Sequence, residues 1–205
     1  MTPKYWPQAK RELARADPVL KPLIRRHRSY ALGSRGDAYQ TLARAIVGQQ
    51  ISVKAAQSVW DRLLAAVGAV SPAAIDAMRV DALRACGLSE RKALYLRDLA
   101  AHFTGGLFDL AAWQAMGDED VIAELIKVRG IGRWTAEMFL IFYMARPDVL
   151  PLADLGLQRA IQLQYGSGRK LSERRMRAIA ACWAPWRSVA TWYLWRSLDP
   201  IPVEY

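Results

Sequence analysis

The chain has 205 residues, 53% of them hydrophobic, and a formal net charge of +10 with a sequence pI of about 9.9. That length suits one domain or two lobes sharing a core, and the basic balance favours nucleic acid or another anionic surface as partner rather than an acidic one. Two cysteines (Cys86 and Cys182) and two histidines (His27 and His102) are too few for a disulfide framework, a four-cysteine cluster or a histidine metal site.

No apolar run approaches the roughly 18 residues of a membrane span, and Met1-Thr2-Pro3-Lys4-Tyr5-Trp6 lacks the apolar core of a signal peptide. A cytoplasmic, membrane-free location is therefore expected. Residues 1–35 are basic and interrupted by Pro7, Pro18 and Pro22; they leave room for a helix that packs against the last one. From there on, apolar residues recur at three- and four-residue spacing. The pattern predicts helices over Ala38–Val47, Val53–Val67, Pro72–Ala77, Val80–Ala85, Glu90–Thr104 and Asp118–Val128. Further helices are expected over Arg133–Ala145, Leu155–Tyr165, Ser172–Cys182 and Arg187–Leu198. Ser71, Ser89 and Ser172 stand where N-caps belong. Strand-like alternation is absent, so the expected class is all-α. Both cysteines lie among apolar neighbours and read as core residues.

The most informative stretch is Leu125–Ala136, with Gly130-Ile131-Gly132 at its centre. It reads as a helix end, a tight turn and a new helix. Glycines permit unusual backbone angles and let a partner approach closely. Amides at the start of a helix carry unpaired N–H groups and partial positive charge, which suits a phosphate. Arg129 and Arg133 bracket the turn, completing a set that can grip a nucleic-acid backbone without reading bases. Further on, Pro151 breaks a helix and Asp154 opens the next apolar-periodic run. Taken alone, Asp154 is a helix cap.

Taken together, these features resemble the helix-hairpin-helix (HhH-GPD) DNA glycosylase superfamily. The blocks Tyr39–Ser52, Gly87–Ala93 and Trp183–Ser188 are similar to its 3-methyladenine DNA glycosylase II (AlkA) branch. The likeness runs from about Asp37 to about Ser197. It implies a two-lobed helical fold with the active site in the cleft between lobes. Lobe one falls at roughly 45–135, lobe two at roughly 1–44 and 136–205, and the helix-hairpin-helix at 121–145. The chain looks like a compact form without the branch's N-terminal α/β domain.

The resemblance also implies roles. Asp154 would be the catalytic carboxylate. Trp134, Met138, Trp195 and Tyr39 would line the base pocket; the Met stands where an aromatic is frequent. Trp183, Trp186 and Trp192 read as core. Gln50, with Gln49 beside it, would be the wedge that fills the gap in the base stack. Gly130, Ile131, Gly132, Arg133, Thr135 and Arg129 would hold the DNA backbone, with Arg44, Lys54, Arg91 and Lys92 as further phosphate candidates. Carbonyls of Val128, Arg129 and Ile131 are candidates for a monovalent Na+ or K+. No other cofactor and no iron–sulfur cluster are expected. Bifunctional relatives carry a lysine where this chain has Trp134, so a monofunctional enzyme is implied, acting as a monomer on damaged double-stranded DNA in the bacterial nucleoid. It would excise 3-methyladenine- or 7-methylguanine-type bases and leave an abasic site. A glycosylase for uracil, hypoxanthine or a mismatch, and a non-catalytic DNA-binding module, are the alternatives.

Overall fold

The computed structural model describes residues 2–29, 31–33 and 36–198. Every regular element among them is helical. In chain order these are α1 (Trp6–Ala16), α2 (Leu20–Arg26), α3 (Ala38–Gly48), α4 (Val53–Val67), α5 (Pro72–Asp76), α6 (Val80–Ala85) and α7 (Glu90–Thr104). They continue as α8 (Leu110–Ala115), α9 (Asp118–Leu125), α10 (Arg133–Phe142), α11 (Leu155–Tyr165), α12 (Glu173–Ala180), a 3₁₀ turn (Ala181–Trp183) and α13 (Arg187–Leu198). The chain divides into two compact units, Met1–Ser34 with Leu140–Glu204, and Arg35–Phe139.

The start signals act as the sequence predicts. Hydroxyls of Ser71, Ser89 and Ser172 accept from the amides of Ala74, Lys92 and Arg175 at 3.2, 3.3 and 3.3 Å. The periodic pattern overran four ends: Pro72–Ala77 stops at Asp76, Asp118–Val128 at Leu125, Arg133–Ala145 at Phe142, and Ser172–Cys182 gives way to the 3₁₀ turn. Helix α8 carries a cap in Asp109, whose Oδ1 accepts from Ala111 and Ala112; its six residues are too short to display a period. The proline-rich N-terminal stretch holds two helices rather than one. Pro7 sits in the first turn of α1, where a missing N–H costs nothing.

In the unit made from the chain ends, α13 is buried on almost every side, from Ser188 to Leu194 and at Arg196. A helix covered all round belongs at a core's centre, and α1, α2 and α11 pack against it. Trp6 meets Trp192 edge to face at 5.4 Å. Beside this core lies Asp17, only 3% exposed. Its carboxylate accepts from the Tyr165 hydroxyl and the Trp183 indole, each at 2.7 Å, and from the amide of Val19 at 2.8 Å. Cys182 corrects the expectation of two core thiols. Cys86 is buried, whereas Cys182 is exposed on the 3₁₀ turn at the solvent edge of this cluster. Trp183 and Trp192 are core as expected. Trp186 is half-buried, because its indole donates to Glu12 at 2.6 Å.

In the middle unit the organising helix is α7, against which α3, α5 and α6 pack. It buries Ala93, Leu96, Leu99 and Ala100, a stripe at three- and four-residue spacing. A chain of rings runs beside it through Tyr39, Phe103, Phe108, Trp113 and Phe139.

Two consequences follow for stability. Replacing Asp17 by Ala strands the Tyr165 and Trp183 donors in an apolar setting, and urea unfolding should show a loss of roughly 3 kcal/mol. Burial also pushes the Tyr5 and Tyr193 phenols up from 10.0 to about 12. The unfolded chain loses these protons near pH 10, while the folded protein keeps them to about 12. Their contribution is complete below pH 10 and vanishes as pH rises through 12. Guanidinium unfolding midpoints compared at about pH 9 and about pH 11.5 should show the fall.

Candidate active site and nucleic-acid interface

Asp154 is the N-cap of α11, with Oδ1 accepting from the Leu157 amide at 2.6 Å. The same oxygen accepts from the Trp195 indole N–H at 2.8 Å. At 8% exposure the carboxylate is nearly out of water, and a buried charge persists only when hydrogen-bonded. Trp195, half-buried on α13, stacks on Phe142 at 5.9 Å with planes 9° apart. Gly156 makes this approach possible. A Cβ there would stand 3.1 Å from the Asp154 oxygen and 3.4 Å from the indole. Leu155, between them, is 78% exposed, an apolar side chain in water beside a buried carboxylate. Of the residues named from the sequence, Asp154 and Trp195 are thus in direct contact. The sequence singles out neither Phe142 nor Gly156, although a glycine in the first turn of a capped helix is a visible signal, and Leu155, expected in the apolar run, is exposed.

The hairpin between α9 and α10 belongs to the middle unit, with its two glycines serving different ends. Gly130 has φ +86°, and a Cβ there would collide with the Tyr95 ring. Gly132 faces open space, so a partner's backbone can come close. Ile131 is buried between them, and its amide donates to the Val128 carbonyl at 3.1 Å. The Arg129 amide donates to Asp98 at 2.8 Å while its side chain is exposed. Thr135 is buried in the first turn of α10. Peptide oxygens are the hard donors an alkali cation takes, and the Val128 carbonyl retains a lone pair beside its bond to Ile131. Among the described residues no group of His, Cys, Asp or Glu is placed to hold a metal ion.

Ion pairing reshapes the list of phosphate candidates. Arg133 donates through Nη1 to Glu119 at 2.8 Å and through Nε to Glu137 at 3.0 Å. These carboxylates raise its pKa and already offset its charge. Arg44 lies over the Trp60 ring at 4.1 Å. The Lys92 ammonium donates to backbone carbonyls of Val47 and Gln49. Lys54, Arg91 and Arg129 are exposed.

In the loop after α3, where the wedge is expected, Gln50 is exposed and has φ +58°. Gln49 is half-buried, and its side-chain amide donates to the Gly130 carbonyl at 2.8 Å. Trp134 is half-buried on α10 and Met138, one turn on, is buried. Tyr39 is buried with its ring edge-on to Phe103, and its hydroxyl has no hydrogen-bond partner among the described residues. Burial pushes that phenol's pKa well up.

Charge is divided unevenly. Residues 35–139 carry equal numbers of basic and acidic side chains, so the whole net charge lies in the unit made from the chain ends. Exposed Arg11, Arg15, Arg25 and Arg26 lie on α1 and α2, and exposed Arg174, Arg175 and Arg177 on α12.

This all-helical fold, with a glycine hairpin and a capping aspartate, is that of a base-excision repair protein. The model of the HhH-GPD superfamily of base excision DNA repair proteins matches residues 43–187, and the chain belongs to that family. YfjP of Bacillus subtilis (strain 168), provisionally named a DNA-3-methyladenine glycosylase, is 34% identical over 78% of the chain. The chain spans 59% of that relative's length. The crystal structure of a DNA-3-methyladenine glycosidase from Bacillus halodurans has a TM-score of 0.81 at 32% identity, covering 93% of this chain and 89% of that one. The 3-methyladenine DNA glycosylase of Schizosaccharomyces pombe, in complex with abasic DNA, has a TM-score of 0.80 at 29% identity, covering 93% and 96%.

Asn caps a helix as well as Asp does, so capping and catalysis can be separated. Asp154→Asn should leave the unfolding free energy within about 1 kcal/mol of wild type. It should lower single-turnover base release on the order of 100-fold or more. Trp195→Phe, which keeps the ring and removes the donor, should fall between them.

Proposed function

We propose that the protein is a monofunctional DNA glycosylase that removes alkylated bases of the 3-methyladenine and 7-methylguanine type from duplex DNA, leaving an abasic site. The observation that carries this reading is the Asp154 carboxylate, buried, held by two donors on one oxygen, and adjoining the Trp195–Phe142 stack.

Breaking a glycosidic bond develops positive charge on the sugar. A fixed carboxylate in a water-poor site stabilises that charge far better than one in bulk water. A water molecule attacks the sugar carbon as the base departs, and Asp154 orients that water or takes its proton. An N-alkylated purine already carries positive charge and leaves as a neutral base, so no second acid is required. Aromatic faces attract such a cation by roughly 0.5–2 kcal/mol. Trp195, Trp134 and Tyr39 are the candidates for that contact, and the unpartnered Tyr39 hydroxyl suits the polar edge of a base. Met138 would add apolar bulk.

The target base must leave the stack to be reached. Gln50 would fill the gap it leaves. Backbone amides of the hairpin would hold phosphate, with carbonyls of Val128, Arg129 and Ile131 holding Na+ or K+. With Trp134 where bifunctional relatives carry lysine, no Schiff base forms at that position. Lys127 precedes the hairpin and pairs with Glu124 at 2.7 Å. The protein would work as a monomer wherever the chromosomal DNA lies.

Methylated duplex DNA tests the reading. Wild type should release alkylated bases, and strands should break only after alkali. Failure to release any methylated base, with DNA binding intact, overturns it in favour of another lesion or a binding role. Charge placement gives a second test. Arg174→Gln with Arg175→Gln should weaken binding to undamaged duplex at low salt, the loss fading as salt rises. Arg133→Gln should change that salt dependence little, since Glu119 and Glu137 already offset the guanidinium.

A further inference from the structure

One face of α7 touches both elements assigned to DNA. Lys92, Tyr95 and Asp98 follow one another at three-residue intervals, which places them along one side of the helix. Lys92 Nζ donates to the carbonyls of Val47 at 2.9 Å and Gln49 at 2.6 Å. The Tyr95 ring fills the space a Cβ would take at Gly130. Asp98 Oδ2 accepts from the Arg129 amide at 2.8 Å. The Gln49 side chain then closes the circuit, donating to the Gly130 carbonyl at 2.8 Å.

Each link has a physical reason. The last carbonyls of α3 lack partners within the helix and form its negative end, so an ammonium is favoured there. Asp98 supplies an acceptor for a hairpin amide where the chain turns. The next residue after Gln49 is Gln50, with φ +58°. A side-chain-bearing residue resists that left-handed conformation and keeps it only when its surroundings enforce it. Gln50 itself is exposed; the turn around it is closed by the Ile51 amide donating to the Gly48 carbonyl at 3.4 Å, and its other central residue, Gln49, is held from outside at both its carbonyl and its side chain.

We propose that this face of α7 is a brace that sets the wedge loop and the hairpin in register before DNA arrives, with Lys92 as its principal positioning residue. Binding then need not order the loop, and the wedge enters the base stack already formed. The proposal rests on the reading of the chain as a base-flipping glycosylase with Gln50 as its wedge.

The test uses the full chain and a duplex carrying 2-aminopurine opposite a tetrahydrofuran abasic analogue. Unstacking of 2-aminopurine raises its fluorescence and reports the wedge directly. Single-turnover base release and affinity for undamaged duplex are measured alongside. Lys92→Met should lose most of the fluorescence rise and slow base release on the order of tenfold, with affinity for undamaged duplex little changed. Lys92→Arg, which can donate to both carbonyls, should restore most of the signal. A residue that only stabilised the end of α3 would lower the melting temperature and leave the fluorescence rise of the folded protein intact. Asp98→Ala cuts the hairpin arm instead and should lower the signal in the same direction, so the proposal stays testable if Lys92→Met does not fold. Wild-type unstacking in both Lys92→Met and Asp98→Ala, or in Asp98→Ala alone when the other is unfolded, overturns the brace. A wild-type protein that leaves 2-aminopurine stacked overturns the wedge reading itself, and the brace with it.

Discussion

A single carboxylate oxygen organises much of the unit made from the chain ends. Asp154 Oδ1 takes one hydrogen bond from the first turn of α11 and another from an indole on α13. Withdrawing a carboxylate from water is costly unless such donors are supplied. The cost dictates the neighbours: a glycine at 156 so that the indole can reach, and Phe142 to support the indole's face. Helix α13, which brings Trp195 into position, is buried along nearly its whole length. The helix cap and the proposed reactive group are one atom set, so the hydrogen bonds that cap α11 also fix the carboxylate.

The middle unit solves a different problem, and solves it with backbone. It has no net charge of its own. Arg133, the arginine nearest the open glycine, is tied to two glutamates. What remains at the hairpin is geometry, with Gly130 bent into a left-handed turn over Tyr95 and Gly132 standing bare. Backbone amides in fixed positions can select a phosphate's location more sharply than a flexible cation can. Under the proposed function, long-range attraction would come from the exposed arginines of α1, α2 and α12, where position matters less because exposed charges act across about a Debye length. In that reading, attraction and registration fall to different residues.

Much of this is legible in the amino-acid sequence. Serine caps followed by apolar periods mark where helices start, since both the cap and the buried stripe are local in sequence. Asp154 and the hairpin were legible for the same reason. Helix ends were less so, because Ile126–Val128 continue the apolar pattern while the chain is already turning. Arg133 read as a phosphate ligand because its partner Glu119 lies fourteen residues away. Cys182 read as core because its neighbours are apolar, yet the 3₁₀ turn exposes it. Lys92 reads only as a phosphate candidate, whereas its ammonium holds carbonyls 43 and 45 positions earlier in the chain. In each case a tertiary partner decided the role.

The same logic explains why Gln50 can be a glutamine with a left-handed backbone. A local rule is broken there: glycine or asparagine would adopt φ +58° more easily. For the wedge role proposed for Gln50, however, glycine would have no side chain to enter a base stack, and asparagine a shorter one. A wedge needs reach, and reach requires a side chain that the turn resists. The conflict is resolved by the Ile51–Gly48 turn bond within the loop and, from outside it, by an ammonium on the preceding carbonyl and an amide bridge to the hairpin. All three supports are hydrogen bonds to main chain, so they constrain the loop's path without occupying the wedge. Strain at the tip and rigidity at its base are therefore two sides of one arrangement, in which a long exposed side chain stands on a braced turn.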